Sequence, residues 1–206
     1  MKWSGWGDPG RRLEISPGAL AMLRERLGEA EPAVAVGLEE VKLKRRRSVP
    51  EAVLEAAGPD AARTDREARI LHAAGRSYPD LVRLRSGELA GAPDAVLAPA
   101  GPEGIARVLE ACGREGVAVV PFGGGTSVVG GVDPLRGSLR AVVSLDLRRL
   151  CRARVDRVSM TASLGAGLRG PQAESALGAH GMTLGHFPQS FEYATIGGFA
   201  ATRSAG

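Results

Sequence analysis

The segment Pro121–Gly131, PFGGGTSVVGG, places five glycines and two hydroxyls after a β-branched run and contains no lysine. Glycine tolerates positive φ and lets backbone N–H groups approach a ligand closely, so such a loop suits a phosphate or pyrophosphate. A Walker-type loop needs lysine after its last glycine, but the spacing Gly125-x-x-x-x-Gly130 is followed by Gly131. A Rossmann fingerprint needs a glycine three residues after its second, but Gly123-x-Gly125 leads to Val128. Both familiar readings fail, and a third nucleotide architecture is required.

A second cluster, PQSFEYATIGGFAATRSAG, runs from Pro188 to Gly206 and sets Ser190, Thr195, Thr202 and Ser204 around Gly197 and Gly198. Two hydroxyl- and glycine-rich loops, neither with a catalytic lysine, can grip the two ends of one extended dinucleotide. Other chemistry is sparse. No paired carboxylates, no Ser-His-Asp order and no Cys-His pair stand out, so catalytic residues stay unassigned. His72 and His180 have no partner at metal-ligand spacing, and no metal is expected.

The elements that must hold these loops follow from periodicity. From Ala92, DAVLAPA reads as a short buried strand and GPEGIARVLEACGREG as a helix opened by Pro102 and closed by Gly116. Ile105, Val108, Leu109 and Cys112 fall on one helical face, which makes Cys112 a core residue rather than a nucleophile. VAVVPF is the next strand and runs straight into the glycine loop. RAVVSLDL is a third strand, and Arg154 to Gly167 reads as another. LRGPQAESALGAHG is a helix with Pro171 near its start and Gly181 past its end. TIGGFAATRSAG reads as a further glycine-containing loop segment, and the chain is expected to end before its fold does. A ligand loop at a strand's carboxyl end, among alternating strands and helices, is α+β or α/β grammar.

Residues 1–91 read as an N-terminal extension of short helices and loops. Ser16 caps a helix that has Pro17 at its first position and stops at Gly28; VPEAVLEAAG is a short helix ended by Gly58. Thr64 to Gly75 is another, with Thr64 as cap and Glu67 three residues on.

Composition narrows the class. At 206 residues and 44% apolar, the chain can bury a sizeable core. Two cysteines, Cys112 and Cys151, make neither a disulfide framework nor a zinc site. Without a membrane-length apolar stretch or a secretory h-region, a soluble cytoplasmic protein is expected. Most of the local basic signal lies in KLKRRR, Lys42–Arg47, with no aromatic residue interleaved. That run reads as a solvated linker or a surface attracting acidic partners, and no nucleic-acid partner is expected.

Together the two clusters resemble the flavin-binding segments of the vanillyl-alcohol oxidase/p-cresol methylhydroxylase superfamily of FAD enzymes. Within it the chain is most similar to the alkyldihydroxyacetonephosphate synthases, whose N-terminal KW-x-GWG signature is matched by KWSGWG, Lys2 to Gly7. The resemblance implies an α+β fold, the first part of an FAD-binding PCMH-type domain over 92–206 preceded by the short helical extension over 1–91. It implies FAD as cofactor. The first loop, Pro121, Phe122, Gly123, Gly124, Gly125, Thr126 and Ser127, would wrap the pyrophosphate. A second set matches Gln189, Ser190, Phe191, Glu192, Tyr193, Ala194 and Thr195, and a third short contact matches Thr202, Arg203, Ser204 and Ala205.

Gln189 is a departure, since the synthases carry an acid before that serine; this bears on the reaction and not on FAD. His186 is open between a structural histidine and a contact to flavin or substrate, and Arg203 between a phosphate and a carboxylate partner. Where many relatives tether flavin through histidine in a Gly-Gly-His context, this chain has Gly124-Gly125-Thr126, so non-covalent flavin is expected. The implied reaction builds an ether lipid from an acyl-dihydroxyacetone phosphate and a fatty alcohol. An FAD-dependent dehydrogenase of 2-hydroxy acids such as lactate or glycolate, and an inactive nucleotide-binding fragment, are the alternatives. A small-molecule or lipid substrate would be held mainly by residues downstream of this chain. Peripheral membrane contact and a homodimer of the complete protein are compatible with the family.

Overall fold

The computed structural model describes residues 1–11, 14–29, 35–89 and 91–204. Helix α1 (Pro17–Leu27) starts on Ser16, whose hydroxyl accepts from the Ala19 N–H at 3.3 Å, and ends at Gly28. None of its side chains is buried. Helix α2 (Glu51–Ala56) buries Val53 and leads through β1 (Ala62–Arg63) to α3 (Arg66–Leu71).

The cap of α3 is Asp65 and not Thr64. Its carboxylate accepts from the Ala68 N–H at 3.0 Å while also binding the Arg63 guanidinium, two tasks one hydroxyl cannot combine. Helix α4 (Tyr78–Ser86) has no counterpart in the sequence reading. A reciprocal cap fixes its start: the Ser77 hydroxyl accepts from the Asp80 N–H at 3.2 Å, and the Asp80 carboxylate accepts from the Ser77 N–H at 3.1 Å.

Next come β2 (Ala95–Leu97), α5 (Pro102–Glu115), β3 (Val117–Phe122) and β4 (Ala141–Asp146). The sheet order is β1-β2-β4-β3, with β2, β4 and β3 parallel and β1 antiparallel at one edge. Every residue of β2 and β4 is buried, as expected of parallel strands covered by helices. Helix α5 turns Gly104, Val108, Ala111 and Cys112 into the core and leaves Leu109 48% exposed, so the buried stripe is rotated from the one expected. Small residues decide the rotation, because a Cβ on Gly104 would lie 2.8 Å from Pro99 Cβ. Burial pushes the Cys112 thiol up to about 11, and the residue is core as expected. Val53, Leu97, Val108, Val143 and Leu145 complete this core, each burial stabilising by roughly 1.5–3 kcal/mol.

The stretch expected as one strand is a hairpin, β5 (Ala153–Asp156) antiparallel to β6 (Thr161–Leu164). The Asp156 carboxylate breaks it by accepting from the Val158 and Ser159 N–H groups, and Met160 turns the chain at φ +55°. Helix α6 (Gly170–Gly178) follows as expected. The last glycine segment is no loop: it forms α7 (Ile196–Thr202), capped by Thr195, whose hydroxyl accepts from the Gly198 N–H at 3.3 Å. The fold is α+β, and no described helix is long and apolar enough to cross a membrane.

Candidate functional site

Strand β3 lies at the sheet edge and delivers Gly123 to Ser127 at the carboxyl ends of the parallel strands, where open α/β sheets bind ligands. At each of the three consecutive glycines another group of the protein comes too close for a side chain. A Cβ on Gly123 would lie 2.3 Å from Thr195 Oγ1, and one on Gly124 would lie 2.1 Å from the Tyr193 carbonyl oxygen. Gly125 stands at φ +66°, with the Phe122 ring 2.7 Å from where its Cβ would be. Among the described residues, the N–H groups from Gly123 through Ser127 find no hydrogen-bond acceptor. Ser127 Oγ accepts from the Gly131 N–H at 2.9 Å and more weakly from Val129, which curls the following loop and leaves the hydroxyl proton free to donate. The result is a run of unengaged donors, suited to an anion.

Two contacts from residues 72–76 support this run from behind. The Phe122 ring packs on the His72 imidazole with centroids 4.3 Å apart. His72 Nδ1 lies 2.7 Å from the Ala68 carbonyl and therefore carries a proton, while Nε2 faces Asp146 Oδ2 at 3.2 Å. Arg148 closes the other side of Asp146, its Nε donating to Oδ1 at 2.9 Å. Burial raises the Asp146 carboxyl, but hydrogen bonds from His72 and Arg148 outweigh it and hold the group well below the usual carboxylate range. The second contact is at Gly75, where a Cβ would lie 2.1 Å from the Ser127 carbonyl oxygen, and the next N–H, of Arg76, donates to that oxygen at 2.7 Å.

Sequence reasoning missed this support. One signal was available: Asp146 is a carboxylate ending an apolar, buried strand, and such a group needs partners.

The second segment is a turn followed by a helix start. Phe191 N–H donates to the Pro188 carbonyl, and Tyr193 and Ala194 N–H groups donate to that of Ser190. Gln189 and Glu192 are exposed, and Ser190 is half-buried. Phe191 lies over Gly170, whose Cβ would be 2.3 Å from the ring, and meets the Phe187 ring at a tilt with centroids 5.1 Å apart. Tyr193 OH donates to Asp8 Oδ1 at 3.2 Å. Thr195 is 1% exposed and does two things, touching Gly123 and capping α7.

The third set is placed differently. Thr202 Oγ1 donates to the Gly198 carbonyl at 2.8 Å within its own helix, and Arg203 is exposed at φ +48° beyond the helix end. Ser204 Oγ lies 3.2 Å from His186 Nε2, and His186 meets Phe199 edge-on at 5.1 Å. Ala205 lies outside the described residues. The structure thus joins Gly123 and Gly124 to Tyr193, Ala194 and Thr195, with Thr202 and Arg203 one helix length away.

A cavity of about 1050 Å³ lies elsewhere, between the start of α5 and the β5–β6 hairpin; Arg107, Arg149, Arg152 and Arg154 line it. It touches no residue of the glycine run, and the run of unengaged amides locates the candidate site better than cavity volume does.

Comparison with known proteins shows the family. The FAD binding domain family matches residues 93–206. The chain is 34% identical over 237 residues to alkyldihydroxyacetonephosphate synthase of Dictyostelium discoideum, covering 100% of this chain and 39% of that protein. It is 33% identical to the synthase of that name from Trypanosoma brucei brucei, covering 100% of this chain and 38% of the relative. A solved structure of alkyldihydroxyacetonephosphate synthase superposes with a TM-score of 0.90 at 34% identity, over 100% of this chain and 43% of that one. The chain therefore spans about two fifths of the length of the curated relatives it matches.

Proposed function

The chain belongs to the FAD binding domain family, and on that premise we propose that it forms the dinucleotide cradle of an enzyme of the alkyldihydroxyacetonephosphate synthase type. Its cofactor is FAD. The residues present fit that group. Unengaged N–H groups from Gly123 to Ser127 match the oxygens of a diphosphate, and no side chain on three consecutive glycines obstructs its approach. The observation that carries the reading is the contact of Gly123 and Gly124 with Thr195 and Tyr193, which makes one site from two segments distant in sequence.

Within that site, Gly123 to Ser127 bind and orient the diphosphate, with the Thr126 and Ser127 hydroxyls as further donors. Thr195 and Tyr193 fix the facing wall. When bound, FAD supplies the chemistry of its isoalloxazine ring, and the protein positions it. The flavin is held without a covalent bond to this chain. Thr126 stands where a tethering histidine would, and His72 lies behind Phe122, 4% exposed with both ring nitrogens engaged. The reaction of the complete protein joins a fatty alcohol to an acyl-dihydroxyacetone phosphate, forming the alkyl ether and releasing the fatty acid with no net redox change.

The test is turnover by the purified protein. Ether product from a fatty alcohol and an acyl-dihydroxyacetone phosphate, with no reduction of an added acceptor by lactate or glycolate, is expected. Acceptor reduction by a 2-hydroxy acid without ether formation would replace the synthase reading with the dehydrogenase one.

A further inference from the structure

We propose that the arginine-lined cleft between the start of α5 and the β5–β6 hairpin is a second anion site, separate from the glycine run, that takes a phosphate monoester carried on an organic body. It goes beyond the flavin reading and does not depend on it. The cleft holds about 1050 Å³ and is lined by Arg107, Arg149, Arg152 and Arg154, with Glu103 as its one carboxylate.

The fold brings these charges together from three elements. Arg152 and Arg154 lie two apart on extended chain and so project to one side, and Ser163, paired with Arg154 across the hairpin, adds a hydroxyl to the lining. The hairpin base is fixed: the Gly165 N–H donates to the Arg152 carbonyl at 2.8 Å, and a Cβ on Gly165 would collide with the Leu150 carbonyl oxygen. In the segment after β4, Arg149 Nη1 donates to the Ala98 carbonyl at 2.9 Å. From α5, Arg107 leans back along its own helix, with Nη2 3.6 Å from where a Gly104 Cβ would be. That sets a cation near the positive end of the helix dipole, where cations are disfavoured. No side chain caps that end, and the Glu103 and Gly104 N–H groups find no acceptor among the described residues.

Elsewhere the protein pairs its arginines: Arg24, Arg63, Arg83, Arg140 and Arg148 each reach a carboxylate. Among the described residues, Arg107, Arg152 and Arg154 reach none. Glu103 does not close the gap. Its Oε2 lies 3.3 Å from where a Gly101 Cβ would be, and a single carboxylate cannot balance four guanidiniums. All four arginines are exposed, so the charge is open to a ligand from solvent. A cleft lined by one sign of charge focuses its field. Guanidinium forks match phosphate oxygens, and a monoester presents three of them with close to two negative charges. The volume far exceeds a bare ion and lies at the upper end of small-molecule sites, roughly 300–1,000 Å³. Ala57, Pro59 and Leu164 supply an apolar wall for the body of the ligand.

Glycerol 3-phosphate and neutral glycerol are titrated into the flavin-saturated protein as wild type, Arg152→Gln/Arg154→Gln and Glu103→Gln. Phosphatidylcholine vesicles, alone or with phosphatidic acid or phosphatidylserine, form a second arm. Saturable binding of the phosphate ester and none of glycerol is expected. The double variant should weaken it about tenfold, while Glu103→Gln, which removes the opposing charge, should strengthen it about threefold. Binding of the free ester points to a soluble ligand, and binding of phosphatidic acid vesicles alone to a lipid head group; either supports the site when the double variant loses it. No saturable binding in either arm overturns the proposal. So does binding that the double variant retains, or that phosphatidylserine vesicles reproduce, since that marks a general basic surface. If the double variant does not fold, Arg107→Gln is read in the same way, and if both fail the sign of the Glu103→Gln effect decides. Failure to take up FAD, with this pattern intact, overturns the flavin reading alone.

Discussion

The two segments that form the candidate cradle have similar compositions, glycine interspersed with hydroxyls, and use them in opposite ways. In Gly123 to Ser127 the glycines admit neighbouring groups, and the N–H groups are left without acceptors among the described residues. From Ile196 onward the N–H groups are already engaged: Ile196 donates to Leu168, Gly197 to Ala166, and Gly198 to the Thr195 hydroxyl. The first segment keeps its donors free; the second, its donors spent within the protein, packs against it. Glycine-rich composition alone therefore does not identify a ligand loop. What identifies it is where the backbone donors go.

Merging the wall with the run should have the largest effect. In Gly124→Val the new side chain would begin 2.1 Å from the Tyr193 carbonyl oxygen and 2.9 Å from Ala194 Cα, both backbone atoms that cannot step aside. Forcing the segments apart costs about 1–3 kcal/mol or more, and the purified variant is expected to be colourless, with its FAD:protein ratio near zero. A variant that stays yellow at the wild-type ratio would separate the glycine run from flavin binding.

Next is the support behind the run. Asp146→Asn removes the charge that His72 and Arg148 share, and breaking a buried pair costs roughly 3–5 kcal/mol. Arg148 is 42% exposed, so solvent screening places the loss at the low end, about 3 kcal/mol. The pH dependence has a definite sign. A carboxyl held below its unfolded value stabilises the fold above about pH 4, and that stability is lost as pH falls towards the folded value. Wild-type denaturation midpoints should fall on acidification below about pH 4, with a flatter profile in Asp146→Asn.

How much of this was legible can be seen residue by residue. Strands β2, β3 and β4 and helix α5 announced themselves through apolar runs and glycine punctuation, because β2 and β4 are buried on both faces and β3, at the edge, is partly covered. The first loop was legible because a parallel strand must end in something, and here it ends in glycines. Leu109 was misplaced because periodicity ranks residues by hydrophobicity, whereas packing against Pro99 selected the small Gly104. Helix α4 escaped because its signal is polar, a Ser77–Asp80 reciprocal cap rather than an apolar stripe. The His72–Asp146–Arg148 support joins residues 74 and 76 positions apart, and no local pattern encodes it. The second segment read as a loop because two glycines weaken helix propensity, and Thr195 restores the helix by capping it.

Smaller changes sharpen the contrast within the second segment. Thr195→Ala removes the α7 cap and should cost about 1 kcal/mol in chemical denaturation. It leaves the free amides of the first segment untouched, so FAD affinity should fall by less than in Gly124→Val. Tyr193→Phe removes one partly exposed hydrogen bond to Asp8, and the melting temperature should barely move. A loss of FAD in Tyr193→Phe as large as in Gly124→Val would make the second segment a direct ligand of the cofactor.

Amide hydrogen exchange with and without saturating FAD tests the asymmetry most directly, because it reads the donors themselves. Upon adding FAD, exchange at Gly123, Gly124, Gly125, Thr126 and Ser127 should slow markedly, while Gly197 and Gly198, already bonded within the protein, should change little. Unchanged exchange across Gly123 to Ser127 in the flavin-saturated protein, or protection confined to Gly197 and Gly198, would contradict the assignment of the first segment as the diphosphate cradle.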